Sequence, residues 1–477
     1  MVSSEAVPYS KSGGLADVTS SLSTALAQLD HDVRLVLPNY KLTDHSTFTE
    51  MDLEIEVKLA NKVEVVKVLE KSVNKVKIYL IDHKWFNSRE GLYGQTSFTP
   101  YPDNLLRYTL ISKAALELCK ALKWAPRIVH AHDWTTGFLP ALVKNDNSKF
   151  FNKTKTVFTI HNLAYQGEFV RLDTLLADLP FSEGDFIGFG VNKRVNMLKA
   201  ALEQADLITT VSPTYAKEIQ TAKFGNNLDY LLKSRSEHLV GILNGIDIDE
   251  WNPETDQLLK HHYSKNDLSN KALLKKELQS KFALEVNEDI ALIGMISRIA
   301  EQKGFVELCQ GTPCLLEQIL SDMDVQIVIV GTGDSALEEK LANLAQLHKN
   351  LSVNFIFDNE AAHLVEAGSD FFLMPSRYEP CGLNQMYSLR YATLPIAHRT
   401  GGLADSIIDV DNSNGTGFLF DEMSSATIYG TIERALKLYY EDKKLLEEVR
   451  IRAMEQDFSW EHSAQEYIKS FEKILEG

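Results

Sequence analysis

Asp370-Phe371-Phe372-Leu373-Met374-Pro375-Ser376-Arg377-Tyr378-Glu379-Pro380-Cys381-Gly382-Leu383 is the stretch from which the fold is read. Its first half is a short apolar run closed by proline, the pattern of a buried strand. Its second half is a turn, and Asn384-Gln385-Met386-Tyr387-Ser388-Leu389-Arg390-Tyr391 then follows at helical spacing. Glu379 therefore sits on a turn between a strand and the start of a helix. In an open α/β sheet, ligands bind outside the carboxyl ends of the strands. The free N–H groups of the next helix point at the same place. A carboxylate and the amides of Cys381, Gly382 and Leu383 are thus presented where a substrate would lie. The competing reading is a glutamate that caps its own helix, because acidic residues are favoured in the first turn.

The same strand–turn–helix grammar recurs in both directions. Downstream, Leu394-Pro395-Ile396-Ala397 runs into His398-Arg399-Thr400-Gly401-Gly402-Leu403-Ala404-Asp405. Upstream, residues 290–298, 325–334 and 351–357 read as strands, the second ending in Gly331-Thr332-Gly333-Asp334. Gly241-Ile242-Leu243-Asn244-Gly245-Ile246-Asp247 is rich in turn formers and marks a boundary between a lobe of residues 1–241 and one of residues 242–457. In the first lobe, residues 33–38, 128–134, 156–162 and 207–212 read as strands, residues 53–81 as β-rich and residues 105–122 as a helix. Residues 1–5 read as the end of a strand. Lys11-Ser12-Gly13-Gly14-Leu15-Ala16-Asp17-Val18 then opens a helix on which Leu15, Val18, Leu22, Ala25, Leu26 and Leu29 recur. Alternating strands and helices imply parallel sheets with right-handed crossovers. The fold class is α/β, with two nucleotide-binding lobes and a cleft between them. Residues 459–475 form an amphipathic helical pattern. The pentapeptide Gly13-Gly14-Leu15-Ala16-Asp17 is echoed by Gly401-Gly402-Leu403-Ala404-Asp405, one copy per lobe; shared turn chemistry or shared ancestry would give the same echo.

Composition narrows the function. The chain has 477 residues, 44% hydrophobic and 24% charged, as in a soluble protein of two large or three ordinary domains. A formal charge of −17 argues against a nucleic-acid partner. Cys119, Cys309, Cys314 and Cys381 form no CxxC pair, which suggests a reducing compartment. There is no apolar run of about 18 residues, so no membrane span is expected. No basic segment leads into an apolar one at the N-terminus, so no secretion signal is expected either. A cytoplasmic enzyme is the default expectation.

Three sets of groups bear on chemistry. Gly13 and Gly14 permit close backbone approach to a phosphate, and Lys11, Arg298 and Lys303 add positive charge. Arg298 and Lys303 lie five residues apart after one strand and suit a diphosphate leaving group; two solvated surface charges are the alternative. Asp133, Trp134, His161, Asn162, Asn244 and Glu379 suit a sugar, which needs carboxylates, amides and an aromatic edge. His161 alone also reads as a core histidine, and Trp134 alone as packing. No convincing nucleophile, general base or metal set is found. Asp247-Ile248-Asp249 and Asp409-Val410-Asp411 have a spacing that can hold a divalent cation but read more simply as solvated turns. Nucleophile-elbow, P-loop and complete dinucleotide motifs are absent, so NAD is disfavoured.

These motifs, in this order, resemble those of the bacterial glycogen synthases and plant starch synthases, glycosyltransferase family 5. The resemblance covers essentially the whole chain. It rests on Lys11-Ser12-Gly13-Gly14-Leu15-Ala16-Asp17-Val18, His130-Ala131-His132-Asp133-Trp134, Ile160-His161-Asn162-Leu163-Ala164-Tyr165-Gln166-Gly167 and residues 241–247. It rests equally on Ser297-Arg298 with Gln302-Lys303-Gly304, on residues 375–383 and on Arg399-Thr400-Gly401-Gly402-Leu403-Ala404-Asp405. It implies a GT-B fold: two Rossmann-like lobes with parallel sheets facing across a deep cleft. The first lobe would serve the acceptor and the second the nucleotide sugar, with residues 458–477 crossing back as a helix to the first. The implied reaction moves glucose from ADP-glucose to the non-reducing end of an α-1,4-glucan with retention, using no cofactor and no metal. Carried over by position, Arg298 and Lys303 hold the diphosphate. Lys11 and the Gly14 amide approach the phosphate and glucose. Asp133, His161, Asn244 and Glu379 surround the glucose, and the amides of Cys381, Gly382 and Leu383 meet its hydroxyls. Phe357 lies beside adenine, and Asp17, Trp134, Asn162 and Thr400 complete the substrate-binding set. With no nucleophile evident, the expected route is front-face transfer in an ion-pair-like state. Closure of the two lobes on substrate is also expected.

The family pattern carries further apolar residues before Val2-Ser3-Ser4-Glu5, so here the first strand is nearly absent, through a late start codon or a shortened strand. Phe357 stands where a tyrosine is common; stacking survives and a hydroxyl contact is lost. Two other functions fit less well. Another GT-B transferase with a different acceptor would share the phosphate and glucose groups. A glucan-binding scaffold would have lost Lys11, Arg298, Lys303 or Glu379, all of which are present. A phosphorylase is disfavoured because no pyridoxal-phosphate lysine site is found.

Overall fold

The computed structural model describes residues 1–60, 62–96, 99–179 and 194–476. The chain divides into two compact units, Met1–Gly245 together with Trp460–Gly477, and Ile246–Ser459.

The first unit holds strands β1 (Arg34–Pro38), β2 (Thr49–Leu59), β3 (Lys62–Val73), β4 (Val76–Asp82), β5 (Ile128–His132), β6 (Lys155–Ile160), β7 (Leu207–Thr210) and β8 (Leu239–Gly241). They form two runs, β1-β4-β3-β2 and β8-β7-β6-β5. Val2 joins the runs, bridging Val36 on one side and Ala131 on the other, both in parallel. Its N–H donates to the His130 carbonyl at 2.8 Å, and the Val36 N–H donates to the Met1 carbonyl at 2.9 Å. The nearly absent first strand is therefore present as residues 1–3, set in the middle of the sheet. Counting it first, the order β4-β1-(1–3)-β5-β6-β7 is 3-2-1-4-5-6, the doubly wound order of dinucleotide-binding sheets.

The sheet is not wholly parallel, contrary to what alternating strands and helices imply. β3 pairs antiparallel with both β2 and β4. Only Asn74 and Lys75 separate β3 from β4, and both have positive φ. A two-residue hairpin joins only antiparallel strands. Helix α1 (Gly14–Gln28) buries Val18, Leu22, Ala25 and Leu26 against Leu35, Leu37 and Leu80. Trp460, Ala464 and Tyr467 of the last helix, Trp460–Glu476, complete that core.

The second unit is a six-stranded sheet of β9 (Ala291–Ile296), β10 (Val325–Val330), β11 (Leu351–Asn354), β12 (Phe371–Met374), β13 (Leu394–His398) and β14 (Phe418–Phe420). Its order is β11-β10-β9-β12-β13-β14, and every pair is parallel. In chain order this is again 3-2-1-4-5-6. The strands read as unbroken apolar runs because both faces are covered. Ala291, Ile293, Met295, Phe371 and Leu373 enter one core; Leu292, Val328, Phe372 and Met374 enter the other. The edge strand β11 stops at Asn354, three residues before the expected end, leaving Phe355, Ile356 and Phe357 exposed.

The pentapeptide echo finds its explanation here. The first copy follows the first strand of its sheet, whereas the second follows β13, the fifth of its own. The positions are not equivalent, so the likeness is one of turn chemistry. Among the described residues, no helix is long and apolar enough to cross a membrane.

Candidate active site

In the second unit the strand order reverses between β9 and β12, so the loops after these strands border the crevice where such sheets bind ligands. Arg298 lies two residues past β9, exposed, its guanidinium 3.5 Å from the Gln302 amide oxygen. Lys303 ends the short turn Glu301–Lys303. Its ammonium pairs with the Glu379 carboxylate. The same carboxylate oxygen accepts the Ser376 hydroxyl at 3.1 Å, and the Ser376 carbonyl accepts His398 Nδ1–H at 2.8 Å. Glu379 is only 6% exposed. It is not a helix cap: Leu383, the residue before helix α2 (Asn384–Arg390), makes no side-chain cap, and Glu379 Oε2 is engaged by Lys303 and Ser376.

The backbone around Glu379 is tightly built. Gly382 has φ 70°, and a Cβ there would press on the Glu379 side chain at 3.0 Å. Gln385 donates to the Cys381 and Gly382 carbonyls at 3.1 and 2.9 Å. Thr400, buried, precedes helix α3 (Gly401–Ser406), and the Gly402 N–H donates to the Glu379 carbonyl at 3.1 Å. A Cβ on Gly401 would overlap that carbonyl oxygen. Cys381, Gly382, Leu383 and Thr400 are thus gathered with Lys303 and Glu379. Phe357 stands apart, past the end of β11 and 97% exposed.

In the first unit the order reverses between residues 1–3 and β5, and Asp133 follows β5. Its backbone, at φ 56° and ψ 179°, lies in a region essentially reserved for glycine. Such strain is held where surrounding structure over-determines it. Here the Asp133 carboxylate accepts the His161 amide at 2.8 Å and the Asn162 amide as well. Burial pushes this carboxyl up to about 7, against those two amides, and the Glu5 charge adds to the rise. Glu5 is itself raised by burial. It accepts the Ser12 hydroxyl at 2.7 Å, the Ser12 and Gly13 amides and the Tyr93 hydroxyl, and so fastens the turn into α1. Gly14 opens α1, exposed, and Gly13 has open space beside it. Lys11 and Asp17 pair with each other at 2.8 Å on the surface.

His161 Nε2 lies 3.1 Å from His132 Nδ1, and burial lowers the His161 imidazole to about 3, so it is neutral near pH 7. The Trp134 ring packs with Tyr108, Tyr93 and Phe169, their centroids 5.2, 6.0 and 5.9 Å away, and the absent side chain of Gly167 makes room for it. Asn244 is 4% exposed, and its side-chain oxygen has no partner among the described residues. Tyr93, Ser376 and His132 act in these clusters, and sequence reasoning did not single them out. Tyr93 lies in a stretch without a motif, while Ser376 and His132 sit inside motifs whose neighbours drew attention first.

Asp411 lies on a solvated turn, as expected, but Asp409 does not. Asp409 is buried and pairs with Arg434 at 2.7 Å, and Asp411 pairs with the same guanidinium at 2.6 Å. Asp247 accepts the Asp249 and Glu250 amides at 3.0 Å.

Residues 1–234 match the family model described as the starch synthase catalytic domain, and residues 276–453 match that of glycosyl transferases group 1. A glycogen synthase of Treponema denticola is 41% identical over 481 residues, covering 100% of this chain and 98% of its own. The chain belongs to the glycogen synthase and starch synthase family. A glycogen synthase of Myxococcus xanthus is 42% identical, covering 99% of this chain and 98% of its own. The catalytic domain of starch synthase IV from Arabidopsis thaliana, solved with ADP and acarbose, superposes with a TM-score of 0.89 at 30% identity, over 100% of this chain and 99% of that one. A sucrose-phosphate synthase from Thermosynechococcus elongatus shares the fold at a TM-score of 0.61 and 15% identity. The fold is GT-B, and the chain is a glycosyltransferase.

The family's first-unit motif His130-Ala131-His132-Asp133-Trp134 carries a cost that can be measured. A carboxyl whose folded pKa is raised favours the folded state at acid pH, and that contribution is lost as pH rises from about 4 through about 7. Asp133→Asn is therefore expected to raise the thermal midpoint at pH 8 and to raise it much less at pH 4. Equal midpoints for the two proteins at pH 8 would remove the buried-carboxyl account.

Proposed function

We propose that this chain transfers glucose from ADP-glucose to the non-reducing end of an α-1,4-glucan, with retention of configuration and without a metal or other cofactor. The observation that carries the proposal is the meeting of Lys303 and Glu379, with Arg298 nearby, at the reversal point of the second sheet. ADP in the Arabidopsis neighbour supports the choice of nucleotide.

In this proposal Arg298 and Lys303 hold the diphosphate, and their charge meets the negative charge that develops as it departs. Preorganised charge of this kind is often the largest catalytic contribution. Glu379, Asp133, His161 and Asn244 hold the glucose hydroxyls, with the amides of Cys381, Gly382 and Leu383. A neutral His161 suits hydroxyl recognition, since it can donate and accept. Lys11, Gly14, Asp17, Trp134, Asn162 and Thr400 complete the substrate contacts, and the exposed Phe357 ring stacks on adenine. The bond from the anomeric carbon to the phosphate oxygen breaks, and the acceptor hydroxyl oxygen bonds to that carbon on the same face. Its proton goes to the departing phosphate, and ADP leaves.

The test is incorporation of labelled glucose into glycogen from ADP-glucose and from UDP-glucose, for the wild type and for Glu379→Ala. Transfer from ADP-glucose that is lost in the variant is expected. No transfer from either donor would end the proposal, and a trapped glycosyl–enzyme adduct would end its front-face mechanism.

A further inference from the structure

Lys303 and Glu379 arise from different strands, so something must fix one loop against the other. Arg377, two residues before Glu379 in the chain, reaches across to the loop that carries Lys303. Its guanidinium pairs with Glu301, at the start of the Lys303 turn, and through Nε with Glu307 at 2.6 Å, on the helix Phe305–Cys309 that follows it. Its backbone N–H donates to the Gln302 carbonyl at 2.9 Å, and the Gln302 side chain returns a bond to the Tyr378 carbonyl at 3.3 Å. Gly304, at φ 83°, lies so close to Pro375 that a Cβ would overlap its carbonyl oxygen. Every link joins the loop after β9 to the loop after β12. The other oxygen of Glu307 is buried and has no partner among the described residues, so the Arg377 Nε contact is the ion pair seen for that carboxylate among them.

We propose that Arg377 is a positioning residue: by holding Glu301 and Glu307 at once, it sets Lys303 against Glu379 in the geometry that meets the leaving diphosphate. This rests on the transferase proposed above. A planar guanidinium can bridge two carboxylates, and a lysine ammonium cannot reproduce that fork. Small misplacement of a group that acts on the transition state costs turnover: about 1 Å can cost roughly 100-fold.

The test measures kcat and donor KM of the full chain for Arg377→Lys and Arg377→Ala, with ADP-glucose and glycogen, beside wild type and Glu379→Ala. Both Arg377 variants are expected to lose roughly 10- to 100-fold in kcat, with KM changed much less. Millimolar guanidinium is expected to restore part of the Arg377→Ala rate and none of the Glu379→Ala rate. If Arg377→Ala does not fold, the double variant Arg377→Met with Glu307→Gln removes the charge left behind and takes its place for kcat. Folded variants with wild-type kcat, a rise in KM alone, or a kcat loss in Arg377→Ala that guanidinium does not relieve would each overturn the inference. A wild type that transfers no glucose overturns the transferase reading instead, and separates the two failures.

Discussion

Replacing Lys303 by methionine is expected to lower turnover by roughly 10²- to 10³-fold, the loss typical of removing one preorganised donor from a developing anion. The fold should survive, with a lowered melting midpoint because the buried Glu379 carboxylate loses its cation. Lys303 ends a short surface turn, and Glu379, once unpaired, keeps the Ser376 hydroxyl, which His398 holds through the Ser376 carbonyl. Methionine preserves the aliphatic stem and removes only the charge. Lys303→Arg keeps the charge but replaces a compact ammonium with a wide planar group at its contact with Glu379, so only part of the rate is expected to remain. Initial rates at saturating donor, beside a melting curve, decide the matter. Turnover within threefold of wild type in the folded variant would show that Lys303 has no part in the chemistry.

The largest loss of stability is expected at Asp370, immediately before β12. This carboxylate is 5% exposed and pairs with Lys275 at 2.7 Å and Arg450 at 2.6 Å, and it accepts the Leu292 amide at 3.0 Å. Lys275 is also buried and donates to the Tyr439 hydroxyl at 2.8 Å and the Glu288 carbonyl at 3.0 Å. Asp370→Ala strands two cations inside the second unit, and breaking a buried pair by removing one partner costs about 3–5 kcal/mol. Burial by itself raises the Asp370 carboxyl, but Lys275, Arg450 and the Leu292 amide outweigh it and hold the group below the usual carboxylate range. A depressed carboxyl stabilises the fold above its unfolded value of about 4 and loses that contribution as pH falls through its folded value. The gap between wild type and Asp370→Ala in urea unfolding is therefore expected to be constant from pH 8 to pH 5 and to narrow below about pH 4. A gap that stayed constant at low pH would mean that the cost is one of packing alone.

How far the sequence carries a reader depends on how many residues a feature needs. β9, β10, β12 and β13 were legible because strands buried on both faces are unbroken apolar runs. The motifs that follow β9 and β12 were legible because residues of one loop stay together in the chain. Residues 1–3 were harder, since a strand reduced to one bridged residue has no pattern, and its importance lies in what flanks it. Arg377 was illegible for another reason. It stands two residues from Glu379, but its partners, Glu301 and Glu307, belong to a different loop, and spacing along the chain says nothing about which loops meet. Asp133 was recognised as polar and well placed; its glycine-like backbone was not foreseeable from residue type, because aspartate gives no warning of a conformation imposed by its surroundings.

The last helix has a consequence for synthesis. Trp460, Ala464 and Tyr467 close a core whose other members, from Ala6 to Ile242, leave the ribosome before the second unit has been made. The second unit needs nothing later than Ser459 for its own sheet and can fold as soon as it emerges. The first must wait for its last members, and the core around α1 lacks Trp460, Ala464 and Tyr467 for as long as translation of the second takes. Messages interrupted within the second unit should thus yield clients for chaperones and proteases, and the half made first is the half completed last.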